Sequence, residues 1–132
     1  MIKKIAITAG LFVLVFALLF GATFGVKFYK FQKKYKAMVV ENVACAQVRD
    51  GEYEGFYDLY LVNAKITVSV QNGKVNDIKI VEHKHGPGYS GEAVCKRVIE
   101  KQGLDVDAVS GSTASCKVIL KAVEIALKKG LQ

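Results

Sequence analysis

One segment near the start constrains this chain more than any other feature. From Ile5 to Val26 there is no charged side chain, and Ala, Val, Leu, Ile and Phe fill most positions. As a helix rising about 1.5 Å per residue, the run measures about 33 Å, enough to cross a hydrocarbon core of about 30 Å. A secretory signal is the competing reading. Its apolar core is shorter and ends in a small-x-small cleavage site, of which Gly21, Ala22, Thr23 and Gly25 form only a weak version, and no lipobox-like Cys follows directly. The chain therefore reads as a short flank (1–4), an uncleaved single-pass anchor (5–26), a basic juxtamembrane stalk (27–46) and one small domain (47–132).

Charge follows the same division. The net charge is +7, but residues 1–44 hold seven Lys against one Glu, while residues 45–132 hold twelve Lys or Arg against eleven Asp or Glu. The basic character belongs to the anchor's flanks and the domain is nearly neutral, which argues against a nucleic-acid partner. Lys27, Lys30, Lys33, Lys34 and Lys36 are placed to meet phospholipid headgroups of the bilayer, interleaved with Phe28, Phe31, Tyr29 and Tyr35 as in an interfacial segment. Two lysines precede the helix and five follow it, so the positive-inside rule taken alone puts the domain in the cytoplasm.

The three cysteines, Cys45, Cys95 and Cys116, are an odd number and lack CxxC or Cys/His zinc spacing. They read as small buried side chains, with a Cys95–Cys116 bridge open to an extracytoplasmic domain.

Within the domain, Tyr53 to Val62 reads as a strand after the Asp50-Gly51 turn. Ile66, Val68 and Val70 alternate with Thr67 and Ser69, and Asn72-Gly73 is a hairpin turn leading to a return strand through Val75, Ile78 and Ile80. The loop His83-Lys84-His85-Gly86-Pro87-Gly88-Tyr89 follows. Ser90 is placed to cap a helix over Gly91 to Gln102 with Ala93, Val94, Val98 and Ile99 on one face. A second helix from about Thr113 to Lys129 turns Val118, Ile119, Ala122, Val123, Ile125 and Ala126 inward. The expected class is α+β: a small antiparallel sheet packed against two helices, preceded by one transmembrane helix.

Chemistry concentrates in Asp107-Ala108-Val109-Ser110-Gly111-Ser112-Thr113-Ala114-Ser115. Here an extended link runs straight into an amphipathic helix. Gly111 permits a tight turn and a close ligand approach, and several hydroxyls meet the unpaired N–H groups of a helix start, a ready anion site. The plain alternative is an N-cap formed by Ser110 or Ser112.

Taken together, the ordered motifs resemble the FMN-binding domain family, the module of the flavin subunits of the sodium-pumping NADH:quinone oxidoreductase and the Rnf complex. The resemblance spans about Arg49 to Leu127. It opens on Asp50-Gly51-Glu52-Tyr53-Glu54-Gly55, similar to DGxYxG, and passes through the hairpin Val68 to Ile78 and the loop Glu82 to Gly88. It closes on Asp107 to Thr113, similar to the D-x-x-S/T-G-A-T attachment motif. The resemblance implies FMN linked by a phosphoester to Thr113 by a separate Mg-dependent flavin transferase with FAD as donor. Asp107, Ser110 and Gly111 would then form the signature, Ala114 and Ser115 would complete the helix start, and the ring would lie against the sheet or against the loop of Pro87, Gly88 and Tyr89. Ser112 stands where the family most often has Ala and adds a hydroxyl. The resemblance further implies an electron carrier rather than a stand-alone enzyme, with a membrane electron-donor protein, an extracytoplasmic acceptor and an extracytoplasmic domain at the cell membrane. The alternatives are non-covalent FMN, a module holding another phosphorylated ligand without a redox role, and a small flavin reductase. His83 and His85 resemble half a metal site without a third ligand, and no Ser/His/Asp or Cys/His catalytic set can be assembled.

Overall fold

The structure, a computed structural model, describes residues 1–85, 91–109 and 111–131. With no proline in it, the apolar run winds into one helix, α1 (Ile2–Ala37), which continues beyond the uncharged segment through the lysine-rich one and has no buried residue. It is long and apolar enough to cross a membrane. Met38, with φ −74° and ψ 121°, turns the chain into extended backbone and ends it.

Three strands follow: β1 (Gly51–Asp58), β2 (Asn63–Gln71) and β3 (Lys74–Lys84), antiparallel in the order β1-β2-β3. The central strand follows its sequence pattern, with Ala64, Ile66, Val68 and Val70 buried and the residues between them half-exposed. Asn72 and Gly73 both have positive φ (55° and 71°), the conformation of a two-residue hairpin turn whose twist matches the strands. The β2–β3 register slips at two places, leaving Asn76 and Val81 as extra residues on β3. The second bulge turns Val81 out to solvent, 59% exposed, while Ile78 and Ile80 still face inward.

β1 is shorter than the expected Tyr53 to Val62. After Asp58 the chain makes a tight turn in which Leu59 N–H donates to Val62 O at 2.8 Å and Tyr60 takes φ 64°. Leu59 thereby inserts fully into the core while Tyr60 stays out. Burial of Leu59 outweighs the strand propensity of Tyr60 and Leu61.

Two helices cover one face of the sheet. They are α2 (Ala93–Lys101), two residues shorter at its start and one at its end than the expected Gly91 to Gln102, and α3 (Thr113–Lys129). In α2 the buried residues are Val94, Cys95 and Val98; Ala93 is exposed, contrary to its expected inward position, because the buried stripe centres on Val98 and Ala93 lies about 140° round the helix from it. In α3 the inward face is wider than expected and includes Cys116, Leu120, Glu124 and Leu127, with Ile125 at its half-buried edge. α3 lies unusually close to β1: a Cβ on Gly55 would come 1.9 Å from Ala122 O. Val43, Cys45 and Val48 also enter the core, around a short 3-10 turn at Cys45–Gln47. The packed unit thus reaches back into the segment that the sequence assigns to the stalk.

The last turns of α1 rest on this unit. Phe31 and Tyr35 pack against the core with their rings 5.9 Å apart, the Lys34 ammonium donates to Asp58 O, and it sits over the rings of Tyr57 and Tyr60. This fixes which end of the domain adjoins the anchor: the end where β1 stops and β2 begins.

Candidate functional site

Residue by residue, the turn into α3 is held by two side chains that bond its backbone and by one bond of its own. Arg97 Nη1 donates to Asp107 O at 2.7 Å, Val109 N–H donates to Cys116 Sγ at 3.2 Å, and Ser112 N–H donates to Val109 O at 3.0 Å. Gly111 has φ 80°, a left-handed conformation that a side chain would strain by about 1 kcal/mol. Ser112 occupies the N-cap position, but its hydroxyl makes no capping bond to the helix. Of the plain alternative, a cap formed by Ser110 or Ser112, the Ser112 form is therefore not taken up, and Ser110 lies outside the described residues.

Cys116 N–H makes the first intrahelical bond, to Ser112 O at 2.9 Å. The amides of Thr113, Ala114 and Ser115 precede it and have no carbonyl four residues back within the helix. Ser112 and Ser115 are buried at 5% and 6% exposure, whereas Thr113 is exposed. The turn thus presents the Thr113 hydroxyl outward from a helix start whose dipole favours an anion.

The loop after β3 ends on this turn. Gly91 is buried with φ 77°, and a Cβ there would stand 3.0 Å from Cys116 Sγ and 3.2 Å from Ser115 Cβ. Only glycine lets the loop's exit lie so close to α3. Ser110, Pro87, Gly88 and Tyr89, together with the expected cap Ser90, lie outside the described residues. Of the remaining expected site residues, the structure brings Gly111, Ser112, Thr113, Ala114 and Ser115 into one turn. Asp107 lies on a ridge between two clefts. A cleft of about 650 Å³ on one side is lined by Arg97, Lys101 and Asp107, and one of about 410 Å³ on the other by Asp107, Lys117 and Val39.

The site lies at the anchor end of the domain. The Lys117 ammonium, one turn into α3, is 4.8 Å from the Tyr35 ring centroid of α1. The far end of α3 meets the start of β1, where Arg49 N–H donates to Gly130 O at 2.8 Å.

The cysteines do not form the bridge left open by the sequence: all three are free and buried. Burial, with the negative charge of Glu92 and the neighbouring Cys116, pushes the Cys95 thiol up to about 11. His83 and His85 stack with centroids 5.2 Å apart, and among the described residues no group of three potential metal ligands forms.

Two features went unread in the sequence. One is Lys117 beside Tyr35, which requires knowing where α1 docks. The other is Glu124, a carboxylate at 2% exposure inside the apolar stripe of α3, bonded to Lys121 Nζ at 3.0 Å, Lys128 Nζ at 2.8 Å and Glu41 N–H at 3.0 Å. Lysines at i−3 and i+4 around one acid in an apolar stripe were the legible signal for it.

A sheet with two helices on one face, joined by a glycine turn that carries hydroxyls into a helix start, defines a small α+β domain. The FMN-binding domain family matches residues 61–128, and the chain belongs to that family. FMN is accordingly its cofactor. An uncharacterized protein of Treponema pallidum (strain Nichols) is 28% identical over 87 residues, a match that takes in 64% of this chain and 24% of that protein. The chain thus spans about a quarter of the length of that relative. No solved structure matches. The residues present fit the cofactor's phosphate: an exposed hydroxyl, amides without helical partners, and two positive-φ glycines, Gly91 and Gly111, where side chains would crowd or strain the turn.

Proposed function

We propose that the protein is a membrane-anchored electron carrier with FMN joined to Thr113 through a phosphoester. The observation that carries this reading is the exposure of Thr113 at the start of α3, within the span matched by the FMN-binding family. In the attachment step the Thr113 oxygen bonds to the riboflavin-side phosphorus of FAD. The bridging P–O–P bond breaks, AMP leaves with the bridging oxygen, and the hydroxyl proton passes to solvent. A separate flavin transferase catalyses this with Mg²⁺. When bound, the flavin supplies the redox chemistry, while the chain supplies position and electrostatics.

The rest of the chain has defined tasks in this reading. The amides at the α3 start would bind the phosphoryl oxygens, Gly111 would let them approach, and Gly91 lets the loop's exit lie against the turn. The domain lies outside the cytoplasm, where a covalent tether prevents irreplaceable cofactor loss. Electrons arrive from a membrane donor protein and leave to an extracytoplasmic acceptor. The position of the turn beside α1 supports a donor in the membrane.

Co-expression with a flavin transferase, followed by denaturing electrophoresis, tests the attachment. The wild-type band fluoresces as a flavin and the Thr113→Ala band does not. A dark wild-type band, or a fluorescent Thr113→Ala band, overturns the assignment.

A further inference from the structure

The lysines of α3 are not equivalent. Lys121 and Lys128 are held by the Glu124 carboxylate, and Lys129 donates to Glu54 O at 2.6 Å. Lys117 has no oxygen partner among the described residues; its ammonium lies over the Tyr35 ring. That ring is itself stacked on Phe31 and set against the core. Lys117 stands four residues after Thr113, so the two side chains share one face of the helix with Cβ atoms about 6 Å apart. Helical side chains lean toward the N-terminus and cover the preceding turn. That preceding turn is the one that begins at Thr113. Lys117 also lines the cleft that Asp107 borders, so the acidic group facing it across that cleft is Asp107.

We propose that Lys117 is the cation that neutralises the cofactor phosphoryl group at Thr113, and that Tyr35 of the anchor helix holds it in place. The inference rests on the FMN reading above and deepens it: the site is completed by a residue of α1, and anchor and domain build it together. An aromatic face attracts an ammonium electrostatically without consuming its hydrogen-bond donors. The ammonium is thus localised near the helix start with all three donors still available for phosphoryl oxygens. A lysine already engaged by a carboxylate, such as Lys121 or Lys128, would have to give up that bond first.

The test uses the full chain in detergent micelles, without transferase, titrated with FMN or with riboflavin, and read by quenching of flavin fluorescence. Riboflavin carries the ring but no phosphate. Lys117→Met should weaken FMN about tenfold, as for loss of one charge-assisted hydrogen bond at a partly exposed site, and leave riboflavin unchanged. Lys117→Arg should retain FMN affinity. Tyr35→Ala should weaken FMN in the same phosphate-specific way, and Tyr35→Phe should not. Thermal melts of the cofactor-free variants check folding, and the fraction of chains labelled by the transferase gives a second readout.

Equal FMN affinity in Lys117→Met and wild type overturns the role of Lys117. Equal losses of FMN and riboflavin also overturn it, because the lysine would then serve the fold or the ring. A normal Tyr35→Ala alongside a weakened Lys117→Met overturns the part given to the anchor. A wild-type chain that neither binds FMN nor is labelled overturns the underlying FMN reading instead.

Discussion

Glu124 shows how one residue can fasten an irregular segment to a helix. Its carboxylate accepts the Glu41 N–H and two lysine ammoniums, Lys121 also donates to Val39 O at 2.9 Å, and Lys128 also bonds the Glu41 carboxylate. Burial opposes ionisation of Glu124, but hydrogen bonds from Lys128, Lys121 and the Glu41 amide outweigh it and hold its carboxyl below the ordinary value of 4.5. The native carboxyl therefore binds a proton less readily than the unfolded one. Its stabilising contribution is complete above about pH 4.5 and is lost as pH falls through the lower native value. Thermal melts should show this acid-side loss in the wild type. In Glu124→Gln, stability at pH 7 should fall by about 1–3 kcal/mol and the acid-side slope should shrink; an unchanged slope would assign the acid sensitivity to another group.

Elements record how much of the fold was legible. The β2 alternation and the Asn72-Gly73 turn are local patterns, and both appear where the sequence places them. The start of α3 at Thr113 and its end at Lys129 likewise match, because an apolar stripe between a glycine turn and a Lys-Lys-Gly finish is a strong signal. The end of β1 was not legible: whether Leu59 continues a strand or plugs the core depends on the space beneath the sheet. The inward turn of Glu124 and the approach of α3 to Gly55 likewise depend on tertiary partners distant in sequence. That approach is itself testable. Gly55→Ala places a methyl group against the Ala122 carbonyl, which is backbone and cannot rotate away. Urea unfolding should register a loss of about 3 kcal/mol, and a loss below 1 kcal/mol would mean that α3 slides freely over β1.

On the scale of the whole molecule, the lysine distribution and the proposed location pull in opposite directions. The five lysines after the apolar run favour a cytoplasmic domain, yet a covalently held flavin suits an extracytoplasmic one. Protease added to intact cells should digest the domain and leave a protected anchor fragment; full protection in cells, with digestion after lysis, would place the domain inside. Part of the lysine bias is accounted for by structure, since Lys34 is engaged with Asp58 O and two tyrosine rings.

The docking of α1 onto the domain also sets a scale for motion. Tyr35 lies nine residues beyond Val26, about 14 Å along the helix axis. If the helix tilts in the bilayer by a typical 20° or so, the contact at Tyr35 swings sideways by only about 5 Å. A carrier on a slack leash can shuttle between partners tens of ångströms apart, whereas one mounted on a short rigid post cannot. In the proposed carrier role, its partners would have to drift to it in the plane of the membrane and present their own redox groups at the height the post dictates.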